Sequence, residues 1–504
     1  MPVNEHEGTN SVELDKGMVR ALGLKEAVTI TAGTVIGVGL FTVGSNAVGW
    51  LGPTIILATL VAFALSLYPS LLYAEMGAAL PFAGGTYNYA ALGLGKMLGF
   101  LAAWNFVISL IAVATGEALA FSNYFKWMLE GLGFPLNVDE RIIAAIVLIV
   151  FIYINWRGIE SVGKWQNAFM FFFWGCALAW FLIMLSDVKL SNFKPFVPLP
   201  DAGLSEFILA TSLVWWCFAG FETAVAMGSE IKYPQINIPR AMFLSPFVVF
   251  CVNAIFQWFL VGITPPNSIT ALREAAAPYA EAMKLAGIAG LPLVLLCLGI
   301  AFGGDMSTIN PSIAAPARYL YRLSADGVFP GWFSRLHPRF RTPHVAIAFL
   351  GIIMLLLIYT GSIIYVATIS LFADLFYYII GFGAAIGLRK KRPDLERPYR
   401  APWLTGGAII CIIAYIVMMT QLPVEGVWTG GVWCLIGVLI YSFYTRKESS
   451  QASSIDKVKI KLPPLPDEET KKALDREFKA WKIGVTVAFL AVILLYALPV
   501  LFAR

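Results

Sequence analysis

The sequence predicts an all-α membrane protein with about thirteen transmembrane helices, and three observations carry that prediction. Of 504 residues, 59% are hydrophobic and 13% are charged, about half the charged share of a soluble domain. With a mean hydropathy of +0.75, the chain has more apolar surface than one aqueous core can bury, and lipid is its natural sink. Apolar runs of membrane-crossing length recur from residue 27 to the end, and Lys and Arg gather in alternate connections between them. The net charge is only +5, so nothing global points to a nucleic-acid partner.

Residues 1–24 are polar and mix Glu5, Glu7, Glu13 and Asp15 with Lys16 and Arg20. A cleaved signal sequence would pair a basic start with an apolar core, so the segment is expected to stay as an N-terminal tail. Apolar runs follow near 27–48, 54–77, 97–122, 142–156, 165–186, 207–229, 241–263, 285–309, 343–360, 363–388, 404–421, 426–444 and 483–503. With the N-terminus in the cytoplasm, the inner connections hold 29 of the 36 Lys and Arg residues and the outer ones 7. That bias orients the chain. An odd number of spans then places the C-terminus outside, in a multi-pass protein for which a cell membrane is the simplest location.

The expected organisation is a tail at 1–26, a five-helix unit at 27–206, a second at 207–403, and two further helices at 404–444. A cytoplasmic linker rich in Ser, Lys, Glu and Pro follows at 445–482, and a thirteenth helix at 483–504. No soluble catalytic domain is expected. The six cysteines all lie in apolar stretches without a CxxC pair and read as small buried hydrophobes.

The apolar pattern is broken at two places. The first span carries Gly33, Gly37 and Gly39 at its middle, and the sixth reads Trp215-Trp-Cys-Phe-Ala-Gly-Phe-Glu222. Glycines in a lipid-embedded helix make either a packing face or an interruption. Interruptions five helices apart are the mark of an inverted-repeat transporter whose unwound backbones bind substrate at the midplane. Unwinding would present N–H groups of Gly37, Val38 and Gly39 to an anion, and carbonyls near Thr34 and around Phe218, Ala219 and Gly220 to a cation. A zwitterionic amino acid satisfies both. The charges inside the spans are Glu75, Glu117, Glu222, Asp305 and Asp374, with no Lys or Arg among them. Such groups are functional candidates, and an all-acidic set suggests bound or moving cations. Glu117 and Glu222 are the candidate proton or cation sites. The structural alternative is that Glu75 reaches water near a cytoplasmic end and Glu222 satisfies opened backbone.

Seven stretches, in one order, resemble the amino acid-polyamine-organocation transporter superfamily. They are the 33–39 glycine cluster; Tyr73-Ala-Glu-Met-Gly77 with Pro81 and Gly84-Gly-Thr-Tyr87; Asn155-Trp-Arg-Gly158; Phe218-Ala-Gly-Phe-Glu222; Glu230 to Pro234 with Ile238-Pro-Arg240; Asp326-Gly-Val-Phe-Pro330 with Thr342-Pro-His344; and Arg392-Pro-Asp-Leu-Glu-Arg-Pro398. The resemblance implies a leucine-transporter-type fold of two inverted five-helix repeats with extra C-terminal helices. Two departures stand out. Val38 replaces a serine usual between the glycines, and Phe171-Phe-Phe173 stands where many members carry a helix-5 lysine, which speaks against proton coupling through an amine.

By the same resemblance, a sodium ion would bind between the carbonyls of Gly33 and Ile36 and the eighth-span residues Asp305, Ser307 and Thr308. Asp305 could instead carry a proton or cap a broken ladder. No other metal and no cofactor is expected. Trp216, four residues before Gly220, stands where arginine-carrying antiporters of the superfamily present an aromatic ring, which attracts a cation or packs an apolar chain; a packing or lipid-facing role is the alternative. Because Ala103, Val107 and Leu110 of the third span are apolar, a neutral amino acid is favoured over a cationic one or a polyamine. The expected function is therefore secondary active amino acid transport by alternating access, coupled to sodium or protons. A channel would need a continuous polar pore. An intramembrane enzyme would need nucleophile or metal geometry, whereas His6, His337 and His344 all lie outside or at the edge of the spans.

Overall fold

A computed structural model describes residues 20, 22–82, 84–157, 162–195, 203–226, 228–447 and 462–502. In chain order its helices are α1 (Leu24–Val35), α2 (Gly44–Leu51), α3 (Ile55–Ala79), α4 (Gly85–Gly93), α5 (Lys96–Gly131) and α6 (Glu140–Arg157). Next come α7 (Val162–Met184), α8 (Leu204–Trp216), α9 (Thr223–Ala226), α10 (Pro234–Ile263), α11 (Pro278–Leu285) and α12 (Leu291–Gly299). The last are α13 (Met306–Ala325), α14 (His344–Ile358), α15 (Ile363–Lys391), α16 (Leu404–Thr420), α17 (Val424–Lys447) and α18 (Glu468–Phe502). Among the described residues there is no strand, only an isolated bridge between Leu22 and Ile231. Every apolar run in the sequence has helix in its place, the first as α1 and α2 and the sixth as α8 and α9. Among the described residues, seven helical segments are long and apolar enough to cross a membrane by length and composition, and shorter apolar helices accompany them.

Local signals set several ends. Glu26 accepts the Gly23 N–H at 2.9 Å, α10 opens on Pro234, whose missing N–H costs nothing in a first turn, and Ser362 Oγ caps α15 by accepting from Tyr365 N–H at 3.1 Å. One boundary differs from expectation. Residues 468–482, read as linker, are the first turns of α18, and 445–447 end α17; residues 448–461 lie outside the described residues. The charged start of α18 holds helical form by docking on α10. Arg240 donates to the Leu474 carbonyl at 2.8 Å, pairs with Asp475 and covers the Phe478 ring at 4.9 Å.

Burial separates centre from rim. In the most apolar window of α10, 83% of residues are buried, against 11% in α18, so α10 belongs to the core with α3, α5 and α15. The rim carries exposed apolar stripes at helical spacing: Ile142, Ile146, Ile149 and Tyr153 on α6, and Ile483, Val487, Leu490 and Leu494 on α18. Stripes this long in water would be an aggregation surface, whereas facing lipid they cost nothing.

Several of the family-like motifs contact one another. Tyr73 and Thr86 hydroxyls lie 2.9 Å apart, and Tyr87 donates to Asp326, which also accepts from Arg322. Asn155 donates to Asn310 at 2.7 Å, and the Thr342 hydroxyl to the Trp156 carbonyl at 2.8 Å. Glu75, only 3% exposed, takes Arg389 at 2.6 Å, Arg397 at 3.4 Å and the Ala401 N–H at 2.7 Å. It is an anchor for the α15–α16 connection, held by two guanidiniums instead of by water. In that connection the Arg392 guanidinium, hydrogen-bonded to Asp394, holds its exposed carboxyl below the usual range.

Candidate functional site

The first span does break. α1 stops at Val35, Ile36 takes an extended conformation, and a widened turn at Gly39–Val43 leads into α2. Glycine at 37 and 39 weakens the helix there, and neighbours satisfy the carbonyls that the opened turn releases. Tyr124 donates to the Phe41 carbonyl at 2.5 Å, Ser45 to Leu40 at 2.7 Å, and the Cys217 thiol to Gly39 at 3.0 Å. The second break runs from Cys217 to Glu222, between α8 and α9. Gly220 has φ +102°, a left-handed conformation that favours glycine. Its N–H reaches the Tyr378 hydroxyl at 3.1 Å, its carbonyl accepts from Thr223, and Tyr378 in turn donates to Glu222.

These two breaks face one another. A Cβ at Gly220 would lie 3.5–3.6 Å from Val35 and Thr34, and one at Gly39 would lie 3.7 Å from Trp216 and Cys217. Thr34, Gly37, Val38, Gly39, Trp216, Ala219 and Gly220 are thus brought into one region. Phe218 contributes backbone there, while its buried ring packs on Phe63 of α3. The Trp216 indole is likewise buried and donates to Ser370 at 3.1 Å; Ser370 lies 2.9 Å from Ser109 and donates to Asp374 at 3.3 Å. Ser109, Ser370 and Tyr378 were not singled out from the sequence. A signal for the last two was present, because Ser370, Asp374 and Tyr378 are spaced by four and share one face of α15.

Glu117 alters the anion position. Its Oε2 accepts the Val38 N–H at 3.0 Å, and a Cβ at Gly37 would overlap its carboxyl group. The chain's own carboxylate therefore rests where the sequence suggested a substrate's. The Glu117 carboxyl neighbours that of Asp305, on the widened turn Ile300–Asp305 that joins α12 to α13. Asp305 is fully buried, and no donor among the described residues reaches either of its oxygens.

The residues expected to form one ion site are divided by the structure. Asp305 turns to Glu117, Ser307 donates to the Gly304 carbonyl at 2.7 Å, and the Thr308 hydroxyl lies 3.4 Å from each of the Gly33, Ile36 and Gly304 carbonyls. The reason is helical geometry: positions 305 and 308 of a regular α-helix would lie about 60° apart, on one face, but the widened turn ending at Asp305 shifts its direction. Thr308 and those carbonyls make a cluster of hard oxygens suited to a small cation. Of the three phenylalanines at the helix-5 lysine position, Phe171 and Phe172 are exposed. Phe173 is buried, with its ring centroid 5.4 Å from Phe41 and 5.9 Å from Phe256.

Comparison with known proteins finds relatives along most of the chain. Residues 22–444 match the family described as amino acid permease. The chain is 25% identical over 453 residues to the branched-chain amino acid permease BcaP of Bacillus subtilis (strain 168), covering 86% of this chain and 95% of that protein. It is 27% identical over 462 residues to the methylthioribose transporter of the same organism, with the same coverage. It is 27% identical over 446 residues to the human large neutral amino acids transporter small subunit 2, covering 84% of this chain and 78% of the relative.

Proposed function

The chain belongs to the amino acid permease family, and from that membership we propose that it is a secondary active transporter of neutral amino acids working by alternating access. The single observation that carries this reading is the pair of facing breaks in the first and sixth spans. Opened backbone at the foot of the outer half-helix offers N–H groups to a carboxylate, and the carbonyls ending the inner segments suit an ammonium. No ordinary helix packing requires two interruptions that meet. Thirteen spans in two inverted five-helix repeats plus three more helices, with the N-terminus cytoplasmic, complete the proposal. The coupling cation would sit at Thr308 and the Gly33, Ile36 and Gly304 carbonyls if it is sodium.

The names of the relatives support a branched or large neutral side chain beside Trp216. A cationic amino acid or polyamine is the second reading, favoured by Asp374, whose carboxyl joins Ser370 and Trp216 at the same place. Counterflow into proteoliposomes decides: leucine, isoleucine or valine should displace labelled leucine, with arginine and putrescine inactive. Displacement by arginine alone would replace the first reading with the second, and open-pore currents in a bilayer would replace both with a channel.

A further inference from the structure

We propose that the groove between α1, α7, α10 and α18 binds one phospholipid with an amine-bearing zwitterionic headgroup, phosphatidylethanolamine: its phosphate on Lys25, its ammonium on Glu477, its acyl chain along the apolar floor. The inference goes beyond the transport reading and does not depend on which solute is carried.

The groove holds about 630 Å³, within the range of pockets that take small organic ligands. Among the described residues, Lys25 and Glu477 are the only charged side chains that line it. It exists because α18 places small residues there: Ala480, Gly484 and Ala488 are four apart and share one face. A Cβ added at Gly484 would meet nothing within 4 Å. The facing walls are apolar and include Phe181 of α7 with Ile255 and Phe256 of α10. Glu477 and Ala488 are eleven residues apart, about 16 Å along the helix, against about 15 Å for half of a hydrocarbon core. The groove therefore has the length of one leaflet, which is the length of an acyl chain.

Both charges stand at one end of it. α1, α10 and α18 begin together: Leu22, before α1, is bridged to Ile231, before α10, and Arg240, early in α10, pairs with Asp475, early in α18. Lys25 is the second residue of α1 and Glu477 lies two residues beyond Asp475, so each stands just ahead of an apolar run, at 27–48 and 483–503. The neighbouring charges are already engaged, because Glu26 accepts the Gly23 N–H and Arg240 holds Asp475. The Lys25 and Glu477 side chains pair neither with each other nor with any other group among the described residues. Unlike charges that line one groove without pairing suit a ligand that bears both signs, and a phosphate and a primary ammonium satisfy them through charge-assisted hydrogen bonds. Phosphatidylcholine has no N–H to give Glu477, an anionic phospholipid sets like charge against it, and a sterol leaves both charges unmet. Trp481, one turn further along α18, also lines the groove and is of the residue type that settles at headgroup level.

The test is native mass spectrometry of the purified full chain, titrated in detergent micelles with dioleoyl phosphatidylethanolamine, phosphatidylcholine or phosphatidylglycerol. Wild type is expected to bind the first about three- to fivefold more tightly than either of the others, the worth of one exposed ion pair. Gly484→Phe fills the groove where no protein atom stands in the way. It should remove that preference and weaken phosphatidylethanolamine binding, with Tm unchanged or raised, because phenylalanine is also the better helix former. Glu477→Lys makes the headgroup end wholly positive and should reverse the order, placing phosphatidylglycerol first, a gain that misfolding would not produce. Equal binding of the three lipids by wild type, or an order that survives both substitutions, overturns the inference and leaves the transporter reading standing.

Discussion

Gly37 and Gly39 look equivalent in the sequence but not in their surroundings. A Cβ at Gly37 would collide with the Glu117 carboxyl, whereas at Gly39 it would meet Trp216 and Cys217 at an ordinary 3.7 Å. Gly37→Ala is therefore expected to lower leucine counterflow at least tenfold at unchanged expression, about 1.4 kcal/mol or more of lost binding, while Gly39→Ala stays within about threefold. Equal losses at both sites would contradict this difference. Glu75 shows the other fate of an intramembrane acid. Its two guanidinium partners make it structural, and Glu75→Gln should cost on the order of 2–3 kcal/mol, below the range for a fully buried pair because Arg389 is partly exposed. A thermal-shift assay should record the lower Tm, with leucine affinity per folded molecule unchanged.

At the level of elements, the interruptions are supported from outside themselves. The hydroxyls of Tyr124, Tyr378 and Thr223 hold backbone that no helix turn holds, so each break is a built feature of the bundle and not a frayed end. Thr308 belongs to the same class: it joins α13 to the end of α1 across three carbonyls. If sodium occupies that cluster, Thr308→Val removes one hard oxygen and should abolish stimulation of uptake by an imposed sodium gradient while Thr308→Ser retains it. Sodium stimulation that survives in the valine variant would move the cation elsewhere. Gly220 adds a conformational requirement. With φ at +102°, Gly220→Ala is expected to lose about 1–2 kcal/mol of stability from backbone strain alone, because only Val35 and Thr34 approach it, at ordinary contact distance.

Across the whole molecule, α18 is the least embedded helix of its length, attached through Arg240, the Gln235 contact with Pro463, and aromatic packing of Phe489 on Phe63, Phe247 and Phe250. It walls one side of an apolar groove of about 630 Å³ against α1, α7 and α10. A chain truncated before Pro463 should keep its central bundle and elute as a monodisperse species, with Tm a few degrees lower. Aggregation of that truncation would make α18 an obligatory part of the core.

Composition and hydropathy determined the membrane class, the places of the helices and the positions of both breaks, because these depend on the chain's local chemistry: apolar run length, glycine clustering, and polar connections. The motif pairs were readable as motifs but not as contacts. What only the tertiary structure decided is which buried acids meet what. Glu75 goes to two arginines, Glu222 to Tyr378, and Glu117 to Val38 and Asp305. Val38 and Glu117 are 79 residues apart. Helices that are apolar nearly all round carry little record of their rotation, so the direction in which a single carboxyl points is set by packing between helices, and that is where Asp305 parted from Thr308.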